Sequence, residues 1–439
     1  MKRYSEYKDS GVKWIGEIPG HWDTPRIKSV AIFNPSKSTV NYQKVGYAPM
    51  DCIRCGNITA GIIDYKKLPT GLTYFENEDI VVAKVTPCFE NGNIAIAKNL
   101  HNGCAYGSSE LFVFRCYGVE NRYLFYYMQD EKFKHKCCST MTGTGGLKRI
   151  SSSFIRNAFI PLPPLPEQEA IVTYLDTKVA KIDEYIAIAE KKIAALEELK
   201  QTIIAEAVTR GIHKDVPMKD SGVKWIGMIP EHWKIMRLRF VCEFRNGYTP
   251  SKANPKFWEN GTIPWFRMED IRDSGRFLNE AKQYISKEAV KGDGLFEAGS
   301  FILATTATIG EHAMLIADSL ANQQFTNLKI RKSLISKLSR NFFFYYLFVI
   351  DEYCKSTTRK ATFPSVDMTD LKNIGVSIPP IEEQQEIVTY IEAKAAKIDQ
   401  LCQAERSQIE KLKEYKQRLI SDVVTGKVKV TNDSLNGRV

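Results

Sequence analysis

The sequence predicts an α+β protein, in which two mixed α/β domains are separated by two long antiparallel coiled-coil helices in an internal pseudo-twofold repeat. Three observations predict it. Lys8–Val30 (KDSGVKWIGEIPGHWDTPRIKSV) and Lys219–Val241 (KDSGVKWIGMIPEHWKIMRLRFV) are identical at 15 of 23 positions. A second block repeats without a gap at an offset of 216: Pro163-Pro164-Leu165-Pro166-Glu167-Gln168 matches Pro379-Pro380-Ile381-Glu382-Glu383-Gln384, and Ala180-Lys181-Ile182-Asp183 matches Ala396-Lys397-Ile398-Asp399. Each second block opens a long stretch with a heptad-like apolar register.

The elements follow in order. Residues 1–22 lead into a first domain at 23–160, and 161–218 hold the first long helix. Residues 219–233 repeat the leading segment, 234–377 form the second domain, and 378–439 hold the second helix with a tail. Prolines preset the first turn of each helix, and Glu167 and Glu169 suit a helix N-terminus. No Pro or Gly follows until Gly211, which supplies the stop. Leu175, Ile182, Ala189, Leu196 and Ile203 form one apolar row, and Val172, Val179, Ile186 and Ile193 another. In the second helix Ile391, Ile398, Leu412 and Leu419 run beside Val388, Ala395, Cys402, Ile409 and Val423, with Glu405 and Lys416 as polar interruptions. A narrow seam sustained over roughly 60–65 Å needs a partner, and the other repeat supplies one. Two equal halves joined this way predict antiparallel helices, with the C-terminus beside Lys8–Trp22.

Within the domains, Asp79–Lys84 and Ser300–Ala304 read as strands. Tyr123–Met128 and Phe342–Leu347 read as aromatic helices, too apolar for an exposed base-stacking face and therefore core.

At 439 residues, 44% hydrophobic and 26% charged, the composition is that of a globular protein. No apolar run reaches membrane-spanning length, and MKRYSEYKDSG lacks a signal peptide's apolar core. A cytoplasmic location with reduced cysteines is the expectation. Cys52-Ile-Arg-Cys55 has the spacing of half a zinc site with no second pair, so ordinary buried thiols are expected. Residues 23–160 carry 17 Lys/Arg against 11 Asp/Glu, and residues 234–377 carry 21 against 15, a net of +6 in each. Two equally basic domains fit a polyanion held at two places.

Catalytic motifs are incomplete. Asn254-Pro255-Lys256-Phe257 has Lys256 where amino-methyltransferases place a second proline, and no Gly-rich cofactor loop accompanies it. Gly143–Gly146 is not followed by the Gly-Lys-Ser/Thr of a phosphate loop. Asp270 with Glu280-Ala281-Lys282 imitates a nuclease triplet, a combination that chance supplies in a charged chain.

The duplicated KDSGVKWIG…IP…HW segment, together with the PLPPLPEQ and IPPIEEQ helix openings, resembles the specificity subunit of Type I restriction–modification systems. The resemblance covers essentially the whole chain. It implies a non-catalytic subunit with two target recognition domains, each reading half of a split, asymmetric site in double-stranded DNA. It also implies two modification subunits that methylate adenine with S-adenosylmethionine, and restriction subunits that use ATP and Mg. No cofactor and no metal are expected in this chain itself.

Base readout needs Arg, Lys, Asn or Gln aimed at base edges, with cations on phosphates. The first-domain candidates are Lys84, Lys148 and Arg149, the last two following the Gly143–Gly146 loop. The second-domain candidates are Arg359 and Lys360, placed similarly before the second helix, with Gln323 and Gln324, then Arg267 and Arg276 as weaker ones. The alternatives of solvated turns and capping groups stay open for these residues. His21 and His232, beside Trp22 and Trp233, read as packing or subunit-docking residues. The alternative class, a coiled-coil adaptor between proteins, explains the helices but not the two basic domains.

Overall fold

The computed structural model describes residues 2–37, 42–54, 56–143, 146–213, 215–357 and 364–431. The chain forms two compact units, Met1–Glu190 with Arg406–Val439, and Lys191–Glu405.

In unit 1 the leading segment is a hairpin of Tyr7–Asp9 and Glu17–Pro19, with Lys8 opposite Ile18. Its repeat in unit 2 pairs Met218–Asp220 with Met228–Pro230, Lys219 opposite Ile229. The repeated letters explain the turn. Asp9 Oδ1 accepts from Gly11 N at 2.9 Å and Asp220 Oδ1 from Gly222 N at 3.0 Å, the local bond that makes Asp a turn residue. Ile18 and Trp22, like Ile229 and Trp233, are fully buried.

The first domain carries an antiparallel sheet in the order Ile94–Ile96, Ile80–Ala83, Leu111–Cys116, Ala31–Phe33. A second sheet runs Gly61–Asp64, Lys44–Ala48, Cys104–Gly107, Thr73–Glu76, its central pair parallel. The second domain has a five-stranded sheet, Cys242–Asn246, Phe325–Ile330, Phe301–Ala304, His312–Leu315, Phe277–Leu278. Beside it lie Tyr284–Ile285, Ile263–Phe266 and Leu320–Ala321, the last two parallel. The strands Ile80–Ala83 and Phe301–Ala304 are apolar at every position because both faces are covered. Ile80 and Val82 enter the core with Trp22 and Tyr123, while Val81 and Ala83 enter a second core with Phe75 and Val113. Phe301 and Leu303 are likewise divided from Ile302 and Ala304.

The aromatic helices, Asn121–Met128 and Arg340–Thr357, turn their rings inward. Tyr127 donates to Phe159 O at 2.6 Å, and its repeat counterpart Tyr346 to Gly375 O at 3.2 Å. The expectation of core packing holds for both runs.

The long helices span Leu165–Arg210 and Ile381–Val424. In unit 2 Lys192 bonds Glu405 at 2.5 Å, Lys200 bonds Asp399 at 2.7 Å, and His213 meets Glu386 at 3.1 Å. One number rises as the other falls, so the segments run antiparallel. In unit 1 Lys416 bonds Asp183 at 2.7 Å, which is the repeat counterpart of the Lys200–Asp399 pair. Glu405 and Lys416, the breaks in the apolar rows, are thus cross-helix partners. Such exposed pairs contribute only about 0.2–1 kcal/mol each, and their value is in fixing direction and register. The strict heptad needs one correction. Ile203 is half-buried, whereas Ile204, Ala207 and Val208 are buried, because a straight helix of 3.6 residues per turn drifts from a 3.5-residue row.

Candidate nucleic-acid interface

The repeated frame explains the Glu-Gln motif. Glu167 accepts from Trp22 Nε1 at 3.2 Å and lies 2.9 Å from His21 Nε2. Glu383 accepts from Trp233 Nε1 at 3.1 Å and lies 2.8 Å from His232 Nε2. Gln168 accepts from Glu120 N at 2.9 Å, at the cap of the first aromatic helix, and donates to Pro163 O at 2.8 Å. Gln384 accepts from Ser339 N at 2.7 Å and donates to Lys337 O and Pro379 O, each at 2.8 Å. The glutamate ties each long helix to the leading hairpin, and the glutamine ties it to the aromatic helix. His21 and His232 therefore serve the frame.

Lys84, Lys148 and Arg149 in the first domain, and Gln323 and Gln324 in the second, lie at a junction of three segments. In the first domain Lys84 N donates to Glu110 O (3.0 Å), Ile150 N to Lys84 O (2.9 Å), Thr86 N to Lys148 O (3.0 Å), and Glu110 N to Ser108 Oγ (3.1 Å). The second domain repeats each bond. Thr305 N donates to Gln324 O (2.9 Å), Val366 N to Thr305 O (2.9 Å), Ala307 N to Pro364 O (3.0 Å), and Gln324 N to Asn322 Oδ1 (3.1 Å). The backbone scaffold is the same in both domains, but the side chains differ.

In the first domain Arg149 donates through Nε and Nη2 to the two oxygens of Glu110, at 2.9 and 2.8 Å. Lys84 Nζ donates to Ser109 O at 2.7 Å and lies 3.8 Å from the same carboxylate. The Arg149 fork, with Lys84 behind it, holds Glu110 below the usual carboxylate range. Lys148 stands exposed beside them. Glu110 was not among the sequence candidates. Its signal was the placement of Ser108-Ser109-Glu110 before the strand Leu111–Cys116, like Asn322-Gln323-Gln324 before Phe325–Ile330.

In the second domain the junction is uncharged at the matching places: Thr305 for Lys84, Gln324 for Glu110, Ser365 for Arg149. Gln323 is exposed and accepts from Thr249 Oγ1 at 2.5 Å, while Gln324 Oε1 accepts from Asn322 Nδ2 at 3.2 Å. Arg267 stands nearby, since Asn322 N donates to Phe266 O at 3.0 Å. Its guanidinium pairs with Glu269 and lies 5.9 Å from the Trp265 ring centre. Arg359 and Lys360 lie outside the described residues, as does Cys55. Arg276 is half-buried and engaged within the fold: it donates to His312 O (2.9 Å) and Glu311 (3.0 Å), and stands 3.5 Å from Asp351. Burial pushes His312 down and Asp351 up from their usual values.

Asn254 and Asp270, from two of the imitation catalytic motifs, hold local structure. Asn254 caps the turn Pro255–Phe257, accepting from Lys256 N at 3.3 Å. Asp270 accepts from Arg267 N at 2.7 Å and Lys282 N at 2.9 Å, so both oxygens are engaged by backbone. Among the described residues no helix is long and apolar enough to cross a membrane.

A duplicated frame that repeats its side chains, carrying two domains that share a backbone junction but not its chemistry, defines a modular two-domain scaffold. The chain belongs to the family of the Type I restriction modification DNA specificity domain, which matches residues 19–198 and 230–411. It is 48% identical over 139 residues to the EcoprrI specificity subunit of a Type I restriction enzyme from Escherichia coli, covering 32% of this chain and 35% of that one. It is 24% identical over 439 residues to the putative MjaX specificity subunit from Methanocaldococcus jannaschii, covering 97% and 98%. The chain thus spans about a third of the first relative's length and nearly all of the second's. A solved structure described under complex assembly and conformational transition of the type I R-M system shares the fold, with a TM-score of 0.71 at 20% identity, covering 94% of this chain and 99% of that one.

Proposed function

We propose that the chain is the DNA sequence-specificity subunit of a Type I restriction–modification complex, each domain reading one half of a bipartite, asymmetric site. The carrying observation is the junction, where one backbone scaffold presents different side chains on two domains of net charge +6 each. The subunit makes no covalent change itself. Partner modification subunits supply adenine methylation from S-adenosylmethionine, and restriction subunits supply ATP- and Mg-dependent cleavage, in the cytoplasm.

Two partner copies suit the repeated frame. A groove of about 590 Å³ in unit 1 is lined by His21, Pro163, Pro164 and Leu165, and one of about 450 Å³ in unit 2 by His232, Pro379, Pro380 and Ile381. Leu165 and Ile381, large apolar residues at matching positions, are exposed at their rims. Matching grooves with an apolar residue at each rim suit one modification subunit per repeat.

The test is genome-wide N6-methyladenine mapping in methylation-free bacteria that co-express this chain with its modification subunit. A single split motif that disappears when this chain is omitted is expected. A stable complex that adds no methylation, and whose DNA affinity does not fall steeply with salt, would favour the protein adaptor instead.

A further inference from the structure

We propose that Arg149 reads a guanine in the half-site of the first domain, with Glu110 as the positioning residue that aims it. This rests on the DNA-reading function above. Glu110 engages one edge of the guanidinium, Nε and Nη2, in a two-bond fork. The other edge keeps Nη1 and the second Nη2 hydrogen, and the side chain is 46% exposed. Two parallel donors at that spacing match guanine O6 and N7 in the major groove. A free arginine loses much rotamer freedom when it docks, whereas one already held in a fork loses less.

The neighbours support this assignment. Arg149 is held at both ends, because its backbone is bridged to Val85 on one side and Thr142 on the other. Lys84 reaches the carboxylate from behind, with its ammonium on Ser109 O. It offsets the charge of Glu110, which would otherwise repel phosphates. The three side chains together carry +1, and the Nη1 edge of the arginine faces away from the fork.

The comparison between domains separates readout from scaffolding. Side chains that hold the frame recur in both repeats: Trp22 with Trp233, Glu167 with Glu383, Gln168 with Gln384, and Asp183–Lys416 with Asp399–Lys200. At the junction the backbone bonds recur and the clamp does not, since Thr305, Gln324 and Ser365 replace its three members. The second domain forms the same backbone junction without the ion pairs, so the clamp is a feature of the first domain alone, as a half-site reader should be.

The experiment maps methylation by the complex carrying the wild-type chain, Arg149→Lys, Glu110→Gln, or the exposed control Arg156→Lys. The wild-type motif should contain a guanine that Arg149→Lys no longer requires, with discrimination there falling about ten- to hundredfold. Glu110→Gln, which keeps an acceptor but loses the charge, should relax the same position less. The other half-site should stay as it was, and Arg156→Lys should match wild type. A wild-type motif kept unchanged by both variants overturns the proposal, as does an even loss of methylation without a change of motif, the mark of a phosphate contact. Failure of both variants to assemble with the modification subunit also overturns it, because the pair would then be a fold element. A wild-type complex with no motif removes the DNA-reading function itself.

Discussion

Replacing Gln384 with alanine tests the frame where its energetics are most concentrated. The side chain is fully buried and serves three backbone groups: Ser339 N–H and the carbonyls of Lys337 and Pro379. Truncation removes the side-chain partner of all three in a partly buried space. Each orphaned group costs about 1–3 kcal/mol, and groups sharing one site do not add in full, so about 3–5 kcal/mol is expected. Gln168 serves only Glu120 N and Pro163 O, so Gln168→Ala should cost less, about 2–4 kcal/mol. Gln384→Glu preserves shape but sets a carboxylate against two carbonyls, and should be at least as harmful as alanine. Hydrogen exchange of the full chain, resolved by peptide, is the suitable assay, because it reports each unit separately. Gln384→Ala should deprotect Arg340–Thr357 while leaving Asn121–Met128 protected, and Gln168→Ala should do the reverse. A loss below about 1 kcal/mol for Gln384→Ala, or a neutral Gln384→Glu, would refute the claim that this glutamine joins the two helices.

Three further outcomes are expected. Gly426 sits at φ +73 with Pro19 where a Cβ would go, so Gly426→Ala should cost about 2–4 kcal/mol, against about 1–2 for Gly211→Ala, whose nearest neighbour is Trp233 at 3.2 Å. Urea unfolding of the two variants checks the order. Glu110 is held below its usual value of about 4.5, so its pairing supports the fold above that pH and is lost as pH falls through the lower folded value. Glu110→Gln should flatten this part of the acid dependence of unit 1 protection, and an unaltered profile would count against the fork. Removing four residues from one long helix, about 6 Å, should change the spacer between half-sites but neither half-site, as read from the methylation motif.

Local regularities carried much of the fold in the sequence. The hairpin turn was legible because Asp9 and Asp220 bond their own neighbours, and the long helices because their rows recur every few residues. The polar breaks at Glu405 and Lys416 were visible as well, although not the partners they meet.

The tertiary structure decided which distant groups meet. The strand Ile80–Ala83 shows no alternation because its two faces enter different cores, a fact about its neighbours rather than about its own letters. The glutamate and glutamine of the repeated motif were legible as a motif, but Trp22 lies 145 residues from Glu167, and nothing local links them. Glu110 was overlooked for the same reason: Lys84 and Arg149 reach it from segments 26 and 39 residues away. Backbone periodicity follows from short-range sterics and hydrogen bonds, which each stretch of sequence carries in itself. Side-chain constellations depend on sheet register and on how the core closes, and those are settled only when the whole chain packs.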